Sequence, residues 1–381
     1  MGAAVFWRLP NSFLGGQFFR YFSATFPLQR SISSIMLFGG RLSMRVLVTT
    51  TSFLDTPGPH VSELTAGNFT LVKARGPLSE GQLLSVIDAE GPFDGFLVGE
   101  DHFSAAVLRK LHPHGKVISR YGVGLDKIDL EVARELGVAI CNTPGVNHTT
   151  VTEHAFGLIF SLLRNIPEQH SAVQRLQWRR MTGNELAGKT VGVLGFGRVG
   201  REMAKRAMAF GVDVAIYNSS WSAEQQQYID ALRAAYTNPV FDDLPSSITR
   251  LATPEEVLRV SDIISLNMNL TKQNNNFLNA RRIQSCKRGA YVINVSRGGL
   301  VDQRALADAL KSGHIRGFGA DVIEPEPISA ENPLVGAPNV IITPHVGSRT
   351  VESIARQGLA AVRNLVGTLR PELMIPVKPA A

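Results

Sequence analysis

Cysteine is nearly absent: the 381 residues include only Cys141 and Cys286. Two isolated thiols cannot build a disulfide framework and lack the paired spacing of a zinc site. No metal is expected, and a reducing compartment is the natural setting. Long apolar runs are missing too. None approaches the roughly 20 residues that a membrane helix needs, so no transmembrane span is expected. Acidic residues are absent from the start of the chain, Asp55 being the first. Ahead of it stand Arg8, Arg20, Arg30, Arg41 and Arg45, and removing these five from the net charge of +7 leaves +2. That balance offers no electrostatic footprint for nucleic acid. What remains is an ordinary globular composition, 44% hydrophobic and 19% charged, over a length that accommodates two domains.

Residues 1–43 differ from the rest, being rich in Phe, Arg and Ser without a helical or strand period. Such composition fits either a mitochondrial presequence or a dispensable extension outside the fold. From Met44 to about Asn142, short β-rich runs (Val46–Thr49, Phe69–Val72, Gly95–Val98, Val117–Ser119, Val138–Cys141) alternate with amphipathic stretches such as Leu83–Ile87 and Ala105–Leu111. This alternation predicts a parallel α/β sheet. A helix is expected from Val151 to Arg164, continuing across Pro167 to about Arg179, as a connection between domains. A second α/β unit follows, with strands expected at Val191–Leu194, Val212–Tyr217, Ile263–Leu266, Tyr291–Asn294, Gly319–Val322 and Val340–Ile342. Thr253-Pro254-Glu255-Glu256 has the form of a helix start. Pro325–Pro333 is expected to be a loop and Val351–Leu369 a final helix.

The second unit opens on its most informative stretch. An apolar run, Val191–Leu194, leads into Gly195, Gly197 and Gly200, and a helical pattern runs on to Phe210. Strand, glycine turn and helix make this spacing a dinucleotide-binding fingerprint. Gly195 permits the turn, Gly197 lets backbone approach a pyrophosphate, and Gly200 lets helix and strand pack closely. Arg198 and Val199 lie at the helix N-terminus, whose free N–H groups and dipole attract phosphate.

Three further segments follow strands: Asn294–Gly299 (NVSRGG), Asp321–Pro327 (DVIEPEP) and Thr343–Ser348 (TPHVGS). Strand carboxyl ends are where open α/β sheets bind ligands. Arg297 offers a fork for a carboxylate, His345 a proton near neutral pH, and Glu326 a partner that fixes the histidine tautomer. Singly, each is more often a surface or loop residue; their joint placement behind a fingerprint points to hydride transfer to a 2-keto acid.

The chain here resembles the D-isomer-specific 2-hydroxyacid dehydrogenase family, through ISRYGVGLDKIDL (Ile118–Leu130), NTPGVNHTTVTEHA (Asn142–Ala155), GFGRVG, NVSRGGLVD (Asn294–Asp302), DVIEPEP and TPHVGS. The resemblance implies two doubly wound parallel-sheet domains. A Rossmann cofactor domain, 146–340, would be inserted into a flavodoxin-like substrate domain of 44–145 plus 341–375. It implies NAD or NADP as cofactor, a small 2-keto or 2-hydroxy acid as substrate, and a homodimer. Arg297 would bind the substrate carboxylate and carbonyl, Glu326 and His345 would form the acid–base pair, and Asp321 would meet the nicotinamide carboxamide. Asn218, Ser219, Val295 and Gly347 would line the cofactor, and Gly99, Gly122 and Val123 the substrate.

Two departures bear on specificity. The family's ribose-gripping Asp after the second cofactor-domain strand is replaced by Asn218-Ser219-Ser220, which suggests that NADP is at least tolerated. The substrate loop carries Glu100 and Asp101 in place of the arginines of phosphoglycerate dehydrogenases, which favours glyoxylate or hydroxypyruvate over 3-phosphohydroxypyruvate. Phosphoglycerate dehydrogenase stays the alternative, and a nucleotide-sensing corepressor-like protein the alternative of another class. The usual His-x-Pro-Leu-Thr stretch is Asn267–Thr271 here, and 221–250 is longer than the usual link. Location is expected to be cytoplasmic, or mitochondrial if residues 1–43 are a presequence.

Overall fold

The computed structural model describes residues 43–236 and 246–373. The N-terminal extension, on which the presequence question turns, lies outside the described residues. Through the first part run β1 (Arg45–Val48), α1 (Thr51–Asp55), α2 (Pro59–Ala66), β2 (Thr70–Lys73), α3 (Glu80–Glu90), β3 (Gly95–Val98), α4 (Ala105–Leu111), β4 (Val117–Arg120), α5 (Leu130–Glu135) and β5 (Ala139–Cys141). Then come α6 (His148–Leu163), α7 (Ile166–Gln174), β6 (Thr190–Leu194), α8 (Arg198–Ala209), β7 (Asp213–Tyr217), α9 (Ala223–Tyr236) and β8 (Ile248–Arg250). The chain continues through α10 (Pro254–Val260), β9 (Ile263–Leu266), α11 (Ala280–Ser285), β10 (Ala290–Asn294), α12 (Gln303–Lys311), β11 (Ile315–Ala320), β12 (Val340–Ile342) and α13 (Val351–Leu369).

Two α/β domains result. The first sheet has the order β2-β1-β3-β4-β5, all parallel, which is the flavodoxin-like winding. The second runs β12-β11-β10-β9-β6-β7-β8, also parallel throughout. Its order reverses between β6 and β9, and that switch point opens a crevice at the strand carboxyl ends. The inner strands β1, β3, β6, β9 and β10 are buried on both faces, so they read as continuous apolar runs rather than alternating ones.

The last helix returns to the first sheet. Ala361, Val362, Leu365 and Val366 of α13 pack with Val46, Val48, Leu97 and Val117, and Ser119 Oγ donates to the Ala361 carbonyl at 2.7 Å. Helix α6 covers the other sheet, where Leu158 and Leu162 lie against Gly319 and Gly317 of β11.

Several expectations are corrected. The connecting helix is two helices: Asn165 takes a left-handed conformation (φ 53°), and α7 restarts with Pro167 in its first turn and stops at Gln174. A proline inside one continuous helix would clash with the preceding turn. The strand expected at Gly319–Val322 is Ile315–Ala320, because Gly317 and Gly319, which weaken a strand pattern, here admit the close approach of α6. β8 was not anticipated; three residues, two of them exposed, give too short an apolar signal. It lies in the long 221–250 link together with α9. β12 hydrogen-bonds to β11, so the domain division expected at 340/341 falls within an edge strand and moves beyond Ile342.

The Thr253 start forms as read. Its Oγ1 accepts from Glu256 N while the Glu256 carboxylate accepts from Thr253 N at 3.1 Å, a complete capping box. Thr253→Ala is expected to lower unfolding free energy by about 1 kcal/mol, measured by denaturant titration.

Candidate active site

A cleft of about 2110 Å³ runs along the carboxyl ends of both sheets, lined by Gly99, Glu100, Arg120, Gly122, Val123 and Asp126 from one side. From the other come Gly195, Gly197, Arg198, Val199, Asn218, Ser219, Val295, Arg297, Asp321, Glu326 and His345. It is roomy enough for a dinucleotide with a small acid beside it.

The glycine turn divides its work as the sequence implies. Gly195 has φ +96°, and a Cβ there would lie 2.7 Å from the Asn267 carbonyl oxygen. Gly197 caps α8, and a Cβ on it would meet nothing within 4 Å, leaving the approach to the helix N-terminus open. Gly200 is not in the wall; its missing Cβ lets α8 rest on the Gly195 carbonyl. These features fit a dinucleotide pyrophosphate.

Asn218 behaves differently from expectation. Its Oδ1 accepts from Phe196 N at 2.9 Å and its Nδ2 donates to the Ser220 carbonyl at 2.5 Å. The amide thus ties the glycine turn to its own loop, leaving exposed Ser219 and Ser220 as the freer donors. Close by in the sheet, Arg250 pairs in register with Ile216, and its guanidinium stacks over Trp221 at 4.5 Å.

Three neighbouring strands deliver the three candidate side chains: Arg297 after β10, Glu326 after β11 and His345 after β12. Arg297 Nη1 donates to the Ser296 carbonyl at 2.8 Å, while its Nε and Nη2 both lie 3.1 Å from Asp126 Oδ1. The remaining N–H bonds are left for a ligand. Burial pushes the Asp126 carboxyl up, but Arg297 and Arg120 pull it below the ordinary range, so it stays ionised. His345 Nδ1 is 2.8 Å from Glu326 Oε2. Glu326 is held in turn by Ile323 N on Oε1 at 3.1 Å. With Nδ1 committed, Nε2 is the nitrogen available to exchange a proton. Burial pulls the His345 pKa down, yet the hydrogen bond and charge of Glu326, with the charge of Glu100, raise it above 6.5.

The loop carrying His345 is fixed by Asp321, which is 3% exposed. Its Oδ1 accepts from Thr343 Oγ1 at 2.6 Å and Val346 N at 2.9 Å, its Oδ2 from Gly347 N at 2.7 Å. His154 of α6 adds a bond to Thr343 Oγ1 at 2.8 Å and approaches Asp321 at 3.4 Å. His345 itself is held left-handed (φ 54°), a conformation costing about 1 kcal/mol for a residue with a Cβ. Asp321 is therefore an anchor as well as a wall residue, and Gly347 serves it instead of lining the cleft. No sequence spacing signals this network. Glu153 of α6 forms a structural salt link with Arg206 of α8 at 3.6 Å.

On the substrate-loop side, Asp101 is 1% exposed and turned inward, accepting from Thr49 Oγ1 (2.5 Å), Leu78 N (2.7 Å) and Gly99 N (2.9 Å). It shapes the loop and presents no free charge, which corrects half of the charge argument. Glu100 pairs with buried Arg120. Asp126 as the partner of Arg297 was also missed, since 171 residues separate them.

Known proteins fit this geometry. A model of the NAD binding domain of D-isomer specific 2-hydroxyacid dehydrogenases matches residues 156–347. A glyoxylate reductase of Thermofilum pendens is 37% identical over 269 residues, 68% of this chain and 74% of that protein. The D-3-phosphoglycerate dehydrogenase of Bacillus subtilis is 36% identical over 287 residues, 73% of this chain but 51% of that protein. The chain thus spans about half the length of such phosphoglycerate dehydrogenases. Among solved structures, a glyoxylate reductase from Paecilomyes thermophila superposes with TM-score 0.70 at 26% identity, covering 87% of this chain and 98% of that one. Its matching sequence, its paired parallel sheets and the cleft between them place this chain in the D-isomer-specific 2-hydroxyacid dehydrogenase family.

Proposed function

We propose that the chain is an NAD(P)-dependent D-2-hydroxyacid dehydrogenase that reduces a small 2-keto acid of the glyoxylate or hydroxypyruvate type. The observation that carries this is the convergence of Arg297 and the hydrogen-bonded Glu326–His345 pair on three adjacent strand ends beside the glycine turn. When bound, the nicotinamide supplies the hydride. Arg297 holds the substrate carboxylate and polarises its ketone, Asp126 keeps that guanidinium oriented, and His345 Nε2 gives its proton to the developing alkoxide. Glu326 stabilises the imidazolium before transfer. In the reverse direction the same nitrogen takes the proton back. Asp321 fixes the loop on which this depends and, as a residue of the cleft wall, would be the one to meet the nicotinamide carboxamide.

A spectrophotometric panel of glyoxylate, hydroxypyruvate, pyruvate and 3-phosphohydroxypyruvate with reduced cofactor tests the reading. Turnover of the unphosphorylated acids is expected. Inactivity with all four while cofactor still binds would favour a nucleotide-sensing protein instead.

For the cofactor, we propose that NADPH serves at least as well as NADH. No carboxylate at position 218 repels a 2′-phosphate, and Ser219 and Ser220, which line the cleft, can donate to one. Titrating both cofactors at fixed substrate decides it, and a hundredfold preference for NADH would overturn the argument. A homodimer in a reducing compartment, the cytoplasm or the mitochondrion, completes the proposal.

A further inference from the structure

The loop after β3 presents one group that the reaction itself does not use. One Glu100 oxygen pairs with the Arg120 guanidinium, which is 5% exposed and also donates to the carbonyls of Tyr121 and Gly124. Glu100 thus pairs the Arg120 charge, and that cation is not left free for an anionic ligand. The second Glu100 oxygen has no hydrogen-bond partner among the described side chains and backbone, although the residue lines the cleft. Beside it Gly99 leaves room: a Cβ on Gly99 would have its nearest neighbour at 3.8 Å. Its partner Arg120 donates from Nε to the Gly124 carbonyl at 3.2 Å, and Gly124 lies against the Arg297 guanidinium, so Glu100 stands near the reacting end of the cleft that it shares with Arg297 and His345.

Resting on the dehydrogenase reading above, we infer that Glu100 reads the carbon next to the substrate carbonyl and selects a 3-hydroxy-2-keto acid. A carboxylate is an acceptor only. It takes a hydrogen bond from a hydroxyl, gains nothing from the methyl of pyruvate or the hydrogen of glyoxylate, and repels a phosphate or second carboxylate. Burial pushes the Glu100 carboxyl up, but Arg120, Arg297 and His345 hold it below the ordinary range, so the acceptor is ionised at neutral pH. Asp101 cannot share the role, because its oxygens are committed inward.

The test uses the full chain with its preferred reduced cofactor and four acids: hydroxypyruvate, pyruvate, glyoxylate and 3-phosphohydroxypyruvate. For the unaltered protein, kcat/KM for hydroxypyruvate is expected to exceed that for pyruvate by roughly 10-fold or more, the scale of a hydrogen bond to a charged group. Glu100→Gln keeps an oxygen for Arg120 but removes the charge, and should lower the ratio of hydroxypyruvate to 3-phosphohydroxypyruvate by about 10²-fold. Glu100→Asp keeps the charge and should retain the exclusion of phosphate, which provides a second reading if Glu100→Gln folds poorly. Competition of D-glycerate and 3-phosphoglycerate for the enzyme with bound cofactor, followed by nicotinamide fluorescence, should show the same change in affinity. An active enzyme that prefers the phosphorylated acid, or a Glu100→Gln ratio within about twofold of the original, overturns the inference and leaves the dehydrogenase reading standing. Inactivity of the unaltered protein towards every acid overturns both.

Discussion

Arg297→Ala and His345→Asn are each expected to lower kcat/KM by ~10²–10⁴ while cofactor binding persists, the scale of charge-stabilising and general acid–base contributions. Arg297 offers the planar fork that a carboxylate needs, pre-oriented by Asp126 and the Ser296 carbonyl. Lysine in its place would supply charge without the fork, so Arg297→Lys should recover little. His345→Asn keeps a polar side chain of similar reach but has no titrating nitrogen. The pH dependence separates proton transfer from simple damage. Reduction needs His345 protonated, so its rate is full below the His345 pKa and falls as pH rises through it. Because Glu326 and Glu100 raise that pKa, the falling limb should stand above 6.5. Glu326→Gln removes the largest raising influence and should move the limb to lower pH; oxidation of the hydroxy acid should show the mirror-image profile. Full turnover in His345→Asn would mean that another group donates the proton.

Gly124→Ala should abolish most activity without unfolding the protein. A Cβ at position 124 would lie 1.7 Å from Arg297 Nη2 and 2.6 Å from Asp126 Oδ1. Both are far ends of flexible side chains, so the chain can yield, but only by turning the guanidinium away from its carboxylate. Misplacement of a positioning group by about 1 Å can cost ~10²-fold, and that is the expected loss in kcat/KM. The melting temperature should shift by no more than about 2–4 °C, the effect of roughly 1 kcal/mol in a domain of this size. Gly122→Ala is the contrast. There φ is +144° and the added Cβ would meet the buried Arg120 guanidinium at 2.5 Å, so stability should suffer as well. Wild-type kcat/KM in Gly124→Ala would show that Arg297 does not need its present seat.

Much of this site is legible in the sequence because it is built from local rules. β-branched apolar runs mark strands that are buried on both faces, and glycine spacing marks the turn before α8. The order of segments then places Arg297, Glu326 and His345 at strand carboxyl ends without any knowledge of distances. The Thr253 capping box, the loop at Pro325–Pro333 and the final helix obey the same short-range chemistry. Elements with weak local signals were displaced or missed: β11 with its two glycines, β8 with its three residues, and the break at Asn165.

What only the tertiary structure decided are the partnerships of the charged side chains. Glu100 and Asp101 are adjacent, alike in sequence and both at the cleft wall, yet one pairs with Arg120 through a single oxygen while the other has both oxygens taken by Thr49, Leu78 and Gly99. Asp126 meets Arg297 across 171 residues, and Asp321 gathers Thr343, Val346 and Gly347 around the loop that aims His345. Backbone propensity and apolar periodicity are properties of neighbours along the chain, so sequence alone determined most of the strands, the fingerprint and the candidate catalytic residues. Which carboxylate is spent on structure and which is left for a ligand depends on desolvation and on partners from distant segments, and only the folded chain brings those together.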